Sequence, residues 1–300
     1  MTDFDTAFDP AYGNAVPLGE TIQRVTACNP SPFTFHGTNS YVVGDDRSFV
    51  VDPGPDDPAH LDALLVAIDG RPVDAILLTH THRDHTGLVD RLRDITGAPL
   101  LGGGPHRPMR PLLAGEASRI EAAGDASLVF DRTLADDETL VLGGTPVTVI
   151  ATPGHCANHL AFAVGEDGTV LSGDHVMAWS TTIVAPPDGA MRDYMNSLDR
   201  LLARDDSRYL PGHGGAVERP KAFVRALIGH RRMRENAILT RLRAGDRTIP
   251  TIVAAIYRGT DPKLHGAAGL SVLAHLEDLA ERGLVSADGP PTLGTRFAPA

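Results

Sequence analysis

Long apolar runs and cysteines are both scarce in this 300-residue sequence. No apolar run approaches the roughly 18 residues of a membrane-spanning helix, so we expect no membrane span. The acidic start, Met1 to Asp5, lacks the basic and apolar regions of a secretory signal. Cys28 and Cys156 are too few for a disulfide framework, and we expect both to be packed. These absences favour a cytoplasmic protein.

The net charge of −11 is unevenly distributed along the chain. Residues 1–217 hold 14 Lys and Arg against 30 Asp and Glu, whereas residues 218–300 hold 13 against 8. An acidic body repels nucleic acid at long range, and a basic segment attracts it. Two interpretations stay open: a nucleic-acid-binding C-terminal region, or two ordinary solvated surfaces.

Short β-like segments alternate with helical segments through the first two thirds of the chain. Strands in two blocks with interleaved helices predict two packed sheets covered by helices, which is an α/β fold. We predict strands at 38–44, 48–52, 74–79, 139–142, 147–151, 159–164, 169–171 and 208–210, and helices at 58–69, 85–96 and 191–203.

The pattern changes near Glu218. Helices are predicted at 221–244, 251–257 and 269–282, followed by a short hairpin at 283–289. Three helices and a β wing are the pattern of a winged helix-turn-helix. We therefore predict a catalytic domain over residues 1–218, and a linker helix with a winged-helix-like domain over residues 219–300.

The densest group of candidate ligands is Thr79-His-Thr-His-Arg-Asp-His85, directly after a predicted buried strand. Alternate residues of an extended segment share a face, so His80 and His82 can approach one ion. Asp84 and His85 then turn toward a neighbouring position as the chain enters a helix. Four ligands are too many for one tetrahedral ion with an open position. The motif therefore predicts two metal ions about 3.5–4 Å apart.

Three later loops offer further ligands, and each follows a predicted strand. They read Pro-Gly-His155, Ser-Gly-Asp174 and Pro-Gly-His213. Glycine lets the backbone bend sharply close to an ion. One such loop alone is weak evidence, but three in order after the histidine cluster predict that they complete the same site.

Together these motifs resemble the metallo-β-lactamase superfamily over roughly residues 20–217. The resemblance implies an αββα sandwich with two divalent metal ions, most often zinc and sometimes iron or manganese, at its loop edge. Asp52 then supports the metal loop from behind. The implied ligands are His80, His82 and His155 for one ion, Asp84, His85 and His213 for the other, and Asp174 bridging both.

Ligand types narrow the resemblance further. Asp174 replaces the Cys of some true β-lactamases, and the set is similar to the glyoxalase II and RNase Z types. The segment 171–182 and the C-terminal extension resemble a lactamase-like endoribonuclease branch that has a C-terminal winged helix. That resemblance implies cleavage of single-stranded RNA.

The expected mechanism is hydrolysis. Two cations that share one water lower its pKa toward about 7, and the metal-bridging hydroxide attacks a carbonyl or phosphoryl centre. Asp84 is the candidate catalytic residue that accepts the nucleophile's proton and passes it to the leaving group. His159 either donates to the developing oxyanion or only supports the site.

Several functions stay open beside the first choice, a phosphodiesterase acting on single-stranded RNA. One alternative is a glyoxalase II-like hydrolase of a thioester or small ester, and another is a nucleic-acid-binding regulator. A mononuclear-iron persulfide dioxygenase shares part of the motif but not the C-terminal extension. The winged helix has three candidate roles: to bind nucleic acid, to wall the substrate pocket or to form a homodimer interface.

Overall fold

The computed structural model describes residues 4–113 and 124–300, and two β-sheets lie at its centre. In the first sheet the spatial order follows the chain order, antiparallel from β1 to β4 and parallel from β4 to β7. Its strands are β1 (Ala15–Pro17), β2 (Ile22–Thr26), β3 (Asn39–Val43), β4 (Ser48–Val51), β5 (Val73–Leu77), β6 (Leu100–Gly102) and β7 (Arg132–Thr133).

The second sheet has antiparallel neighbours from β8 to β11, and β12 joins β11 in parallel. Its strands are β8 (Thr139–Leu142), β9 (Thr145–Ala151), β10 (Leu160–Val164), β11 (Thr169–Gly173) and β12 (Arg208–Pro211). The parallel arrangement places the ends of β11 and β12 at one edge of the molecule.

Apolar side chains on both faces of each sheet build the layers. Tyr41 and Val43 of β3 point into the core between the sheets, whereas Val42 points to the outer core, as strand alternation requires. Helices α1 (Pro58–Ile68) and α3 (Val89–Thr96) cover the first sheet. Helices α4 (Met191–Ala203) and α5 (Pro220–Arg243) cover the second. The predicted αββα sandwich is therefore confirmed.

The helix predicted over 85–96 is interrupted. A short α2 (Arg83–Thr86) precedes α3, with Gly87 and Leu88 between them. The backbone N–H of Leu88 donates to the carbonyl of Gly54 rather than continuing α2, and Gly87 packs against the backbone of Pro55 and Asp56. This contact between distant segments is invisible in local periodicity.

The C-terminal region contains α6 (Ile249–Ile256), a 3₁₀ turn (Pro262–Leu264), α7 (His265–Glu281), β13 (Val285–Ala287) and β14 (Phe297–Pro299). Helix α5 belongs to two cores: Val224 and Leu227 pack on the second sheet, whereas Ile238 and Leu242 pack with α6 and α7. Because one helix serves both parts, the boundary near residue 218 stays a prediction.

The hairpin predicted within 283–289 is wrong in its second strand. β13 pairs with β14, so residues 288–296 form the connection. Pro290 and Pro291 have no backbone N–H to donate and do not extend a strand pair. The wing is consequently wider than the sequence suggests.

Among the described residues, no helix is both long enough and apolar enough to cross a membrane. Cys156 is buried, as predicted. Cys28 is exposed in the loop after β2, so the prediction that it is packed is wrong.

Candidate metal centre

The seven predicted ligands meet at one edge of the two sheets, where strands end. The loop after β5 and the start of α2 carry four of them, and the loops after β9, β11 and β12 carry one each. They are His80, His82, Asp84 and His85, followed by His155, Asp174 and His213.

Three histidines form a first group, His80, His82 and His155. His82 Nδ1 lies 3.0 Å from Nε2 of His80 and 3.0 Å from Nε2 of His155. Burial, reinforced by neighbouring histidines, lowers the pKa of His80 well below its ordinary value, and burial also lowers the pKa of His155. The lowered pKa values favour neutral imidazoles at His80 and His155, and the neutral imidazole is the form that binds a cation.

Asp84, His85 and His213 form a second group. Asp84 Oδ2 lies 3.5 Å from His85 Nε2 and 3.4 Å from His213 Nε2. Ligands about 2.0–2.1 Å from a tetrahedral ion are about 3.3 Å from one another. The second group therefore has the spacing of a coordination sphere.

Asp174 lies between the two groups. Its Oδ2 is 3.3 Å from His213 Nε2 and 3.8 Å from His155 Nε2, and its Oδ1 is 3.5 Å from His85 Nε2. One carboxylate thus reaches histidines of both groups, as a bridging ligand must.

Two buried atoms of the centre test whether these residues fit a metal ion. Among the described residues, His85 Nε2 and Asp174 Oδ1 find no hydrogen-bond partner, although both atoms are buried. Leaving buried polar atoms unpaired costs free energy, and a cation would satisfy both. The donor set of imidazoles and carboxylates fits zinc, iron or manganese.

The other ring nitrogen of each histidine is held by the protein, which fixes the orientation of the rings. His155 Nδ1 donates to the carbonyl of Ile183 at 2.7 Å, and His213 Nδ1 donates to that of Gly37 at 3.1 Å. Such contacts on the far nitrogen direct the near one toward the ion. Thr79, Asp188 and Asp52 contact the far nitrogens of His80, His82 and His85.

Asp52 stands directly behind this loop, at the end of β4 with a φ of 52°. Its Oδ1 accepts from the backbone N–H of Thr79 at 2.8 Å, and its Oδ2 accepts from the hydroxyl of Thr79 at 2.6 Å. Oδ2 also lies 2.9 Å from His85 Nδ1. Asp52 therefore supports the loop rather than only forming a turn.

The second group concentrates opposite charges. Burial alone would lower the pKa of His85, but the carboxylates of Asp84, Asp174 and Asp52 outweigh it and raise that pKa to about 9. Burial opposes ionisation of Asp174, yet His213 and His85 hold the pKa of this carboxyl well below its usual range. The carboxylates are thus charged and available as ligands.

His159 is buried and both of its ring nitrogens are engaged. Nδ1 lies 2.8 Å from the hydroxyl of Thr152, and Nε2 accepts from the backbone N–H of Asp174 at 3.1 Å. A ring held in this way has no N–H directed at a substrate. These contacts favour the supporting role for His159 over donation to an oxyanion.

Asp188 is a site residue that the sequence reasoning missed. Its Oδ2 accepts from His82 Nε2 at 2.7 Å, and its Oδ1 lies 3.6 Å from His106 Nε2. Asp188 is 106 positions from His82 and stands outside any strand-end motif, so no local signal could have identified it.

A cavity of about 400 Å³ opens beside the centre. Part of its lining is made of metal-centre residues: His82, Asp84, His155, Asp174, Asp188 and His213. Another part is apolar: Phe33, Met177, Ile183, Ala185, Ala267 and Leu270. Ser31 and Thr34 add hydroxyls, and none of the described lining residues is Lys or Arg.

The glycines and prolines of the stretch 102–124 predict an insertion over the site, and the structure describes its residues 102–113 and 124. His106 lies 2.9 Å from the hydroxyl of Thr81 in the metal loop. Arg107 donates to the carbonyls of Gly103 and Ala157, and Arg110 forms an ion pair with Glu277 of α7. Arg119 lies outside the described residues.

Comparisons with known proteins agree with this geometry. A family model described as the metallo-beta-lactamase superfamily matches residues 33–213, and one described as a beta-lactamase associated winged helix domain matches residues 248–290. The "Beta-lactamase-like protein 2 homolog" of Drosophila melanogaster is 31% identical over 280 residues, which is 89% of this chain and 90% of that protein.

Solved structures share the architecture. A beta-lactamase domain protein from Burkholderia ambifaria has a TM-score of 0.80 at 22% identity, over 99% of this chain and 97% of that one. A structure described as a di-iron-bound form has a TM-score of 0.50 at 30% identity, over 65% of this chain and 93% of that one. Since the first family model covers more than half of the sequence, the chain belongs to the metallo-beta-lactamase superfamily and is a hydrolase of that fold.

Proposed function

We propose that the centre holds two divalent metal ions, zinc by donor chemistry, and that the chain hydrolyses a small ester or thioester. The first ion takes His80, His82 and His155, the second takes Asp84, His85 and His213, and Asp174 reaches both. Two unpaired buried ligand atoms and the spacing of the groups support this assignment. Bound ions would supply a Lewis acid and a water of lowered pKa.

Asp84 is the proposed proton carrier. Its Oδ2 faces His85 and His213, whereas the residue also lines the cavity. Burial opposes ionisation of Asp84, but His85 and His213 hold its pKa below the ordinary value, so the carboxylate is ionised, as a proton acceptor must be. His159 is proposed to position Asp174, because His159 Nε2 accepts a hydrogen bond from the backbone N–H of Asp174.

The apolar residues in the cavity lining are the observation that supports a small ester or thioester as the substrate. A carbonyl placed at the metal centre leaves the rest of a small acyl group against Phe33, Met177 and Leu270. A protein that binds a polynucleotide uses cationic side chains along the phosphate backbone. The described residues of the cavity lining include no Lys or Arg. Small-molecule sites are typically mostly apolar with few convergent polar groups.

The winged helix gives a second argument. In a helix-turn-helix, the second helix of the motif enters the nucleic-acid groove. Here that helix, α7, carries no Lys or Arg, and it carries Glu277, Asp278 and Glu281. It also packs on the catalytic part, where Ala267 and Leu270 line the cavity. This placement supports the pocket-wall role and disfavours a nucleic-acid-binding regulator.

Cleavage of single-stranded RNA remains the second candidate, and the excess of basic residues in 218–300 is the observation that favours it. The two candidates predict different substrates for the same metal centre. We test them with metal-loaded protein on single-stranded RNA, S-lactoylglutathione, acyl-coenzyme A thioesters and lactones. We expect turnover of a thioester or ester, and RNA cleavage without any ester turnover would overturn the proposal. Asp174→Ala protein is the control for contaminating hydrolases.

A further inference from the structure

The first turns of α7 place two side chains on the cavity. Ala267 and Leu270 are three residues apart, so they lie on one face of the helix, and both belong to the apolar part of the cavity lining. Metal-centre residues line the same cavity. A substrate whose reacting carbonyl lies at the metal centre can therefore place its apolar part against α7.

Helix α7 is fixed firmly enough to act as a rigid boundary. Val272 and Leu276 are fully buried in the winged-helix core, and Ala274 packs in the core next to the second sheet. Ion pairs join α7 to the catalytic part, with Arg110 to Glu277 at 2.7 Å and Arg192 to Asp278 at 2.9 Å. A wall anchored along its length keeps the cavity dimension constant.

We propose that Ala267 and Leu270 are specificity-determining residues that set the longest acyl chain the enzyme accepts, and that its substrates are thioesters or esters of aliphatic acids. This inference rests on the proposed hydrolysis of a small ester or thioester. The apolar side chains of α7 offer such a chain a contact surface, and Met177 and Ile183 add apolar side chains to the lining of the same cavity.

The test is a chain-length series of acyl-coenzyme A thioesters, from acetyl to dodecanoyl, with full-length zinc-loaded protein and thiol release as the readout. For the wild-type protein we expect kcat/KM to rise about threefold to fourfold per added methylene until the cavity is full. Ala267→Phe and Leu270→Trp fill the cavity. They should lower the ratio of kcat/KM for the long chains to kcat/KM for the acetyl thioester at least tenfold.

Two further variants distinguish a change in chain-length specificity from a folding defect. Leu270→Ala widens the cavity and should move the optimum to longer chains, a gain that damaged protein would not show. Ala280→Phe makes the same change as Ala267→Phe about 20 Å further along α7 and should leave the profile unchanged. Metal content is measured for every variant, and all are expected to match the wild type.

Two outcomes separate the inference from the function on which it rests. If the wild-type protein hydrolyses thioesters but the variants keep the wild-type chain-length profile, the role of α7 is overturned and the hydrolase proposal stands. If no thioester or ester of any length is turned over by metal-loaded wild-type protein, both are overturned.

Discussion

At the scale of single residues, Asp174 matters most because it is the carboxylate that reaches histidines of both groups. We expect Asp174→Ala to lose more than one metal equivalent per chain, or all hydrolytic activity, measured by elemental mass spectrometry and substrate assay. Asp205→Ala, which removes an exposed carboxylate from an ion pair with Lys221, is the matched control. Full activity of Asp174→Ala with two ions bound would contradict the assignment of Asp174 as a ligand.

Asp188 acts on the first group from behind. Because its Oδ2 accepts from His82 Nε2 at 2.7 Å, it directs His82 Nδ1 toward the ion. Removing such a partner typically weakens metal binding about 10- to 100-fold. We expect that loss in Asp188→Ala and a smaller one in Asp188→Asn, which keeps a hydrogen-bond acceptor. Competition with a chromophoric chelator measures the metal affinity, and Asp199→Asn at an exposed position is the control. Equal affinities for all variants would contradict the role of Asp188 in orienting His82.

Acid should weaken metal binding at the second group. The pKa of His85, about 9, is raised by Asp84, Asp174 and Asp52 against burial, so below pH 9 an ion must displace its proton. Affinity should therefore rise with pH toward 9, about tenfold per pH unit for each displaced proton. Calorimetric titrations at pH 7 in buffers of different ionisation enthalpy should detect this release. Heats independent of the buffer would contradict it.

At the scale of elements, helix α5 reaches the metal centre through one loop. Arg231 is buried, stacks over the ring of Tyr194 at 5.0 Å and donates through Nη2 to the carbonyl of Thr182. The hydroxyl of Thr182 donates to the carbonyl of Asp174 at 2.7 Å. The next carbonyl, that of Ile183, accepts from His155. Arg231 therefore positions the loop that supports two ligands.

We expect Arg231→Met to weaken metal affinity several-fold and to lower the free energy of unfolding by about 1.5–3 kcal/mol, the range for a hydrogen bond to a charged group. Arg231→Lys should restore part of both. Chelator competition and denaturant unfolding measure the two quantities. Arg232→Met, at the adjacent exposed position, is the control. A stability loss with wild-type metal affinity would leave Arg231 a purely structural residue.

Sequence predicts the elements well where periodicity is local. The strand Thr139–Leu142 and the helix Met191–Ala203 have the predicted bounds, and all seven candidate ligands lie at one edge. The sequence does not predict a helix boundary that depends on backbone far away in the chain. At Leu88, for example, the backbone N–H donates to the carbonyl of Gly54. The sequence also could not place Asp188 or Leu270, since neither belongs to a motif and only the folded chain brings them to the cavity.

At the scale of the whole molecule, the metal centre joins the two sheets. Four ligands follow β5 of the first sheet, and His155, Asp174 and His213 follow strands of the second. Ions that bind only the folded chain stabilise it by mass action. Chelation should therefore lower the thermal midpoint by several degrees, and added zinc should restore it. Asp174→Ala should show a smaller difference by calorimetry, and a midpoint insensitive to chelator in the wild type would contradict the link.

The order of the ligands along the chain constrains how the enzyme matures. Synthesis from the N-terminus delivers the first-sheet ligands early, whereas His213 follows β12, the last strand of the second sheet. A nascent chain that ends before residue 213 has no complete second group. Loading with both ions therefore has to wait until the ribosome has passed that histidine, so metal occupancy reports that both halves of the sandwich have been made and joined.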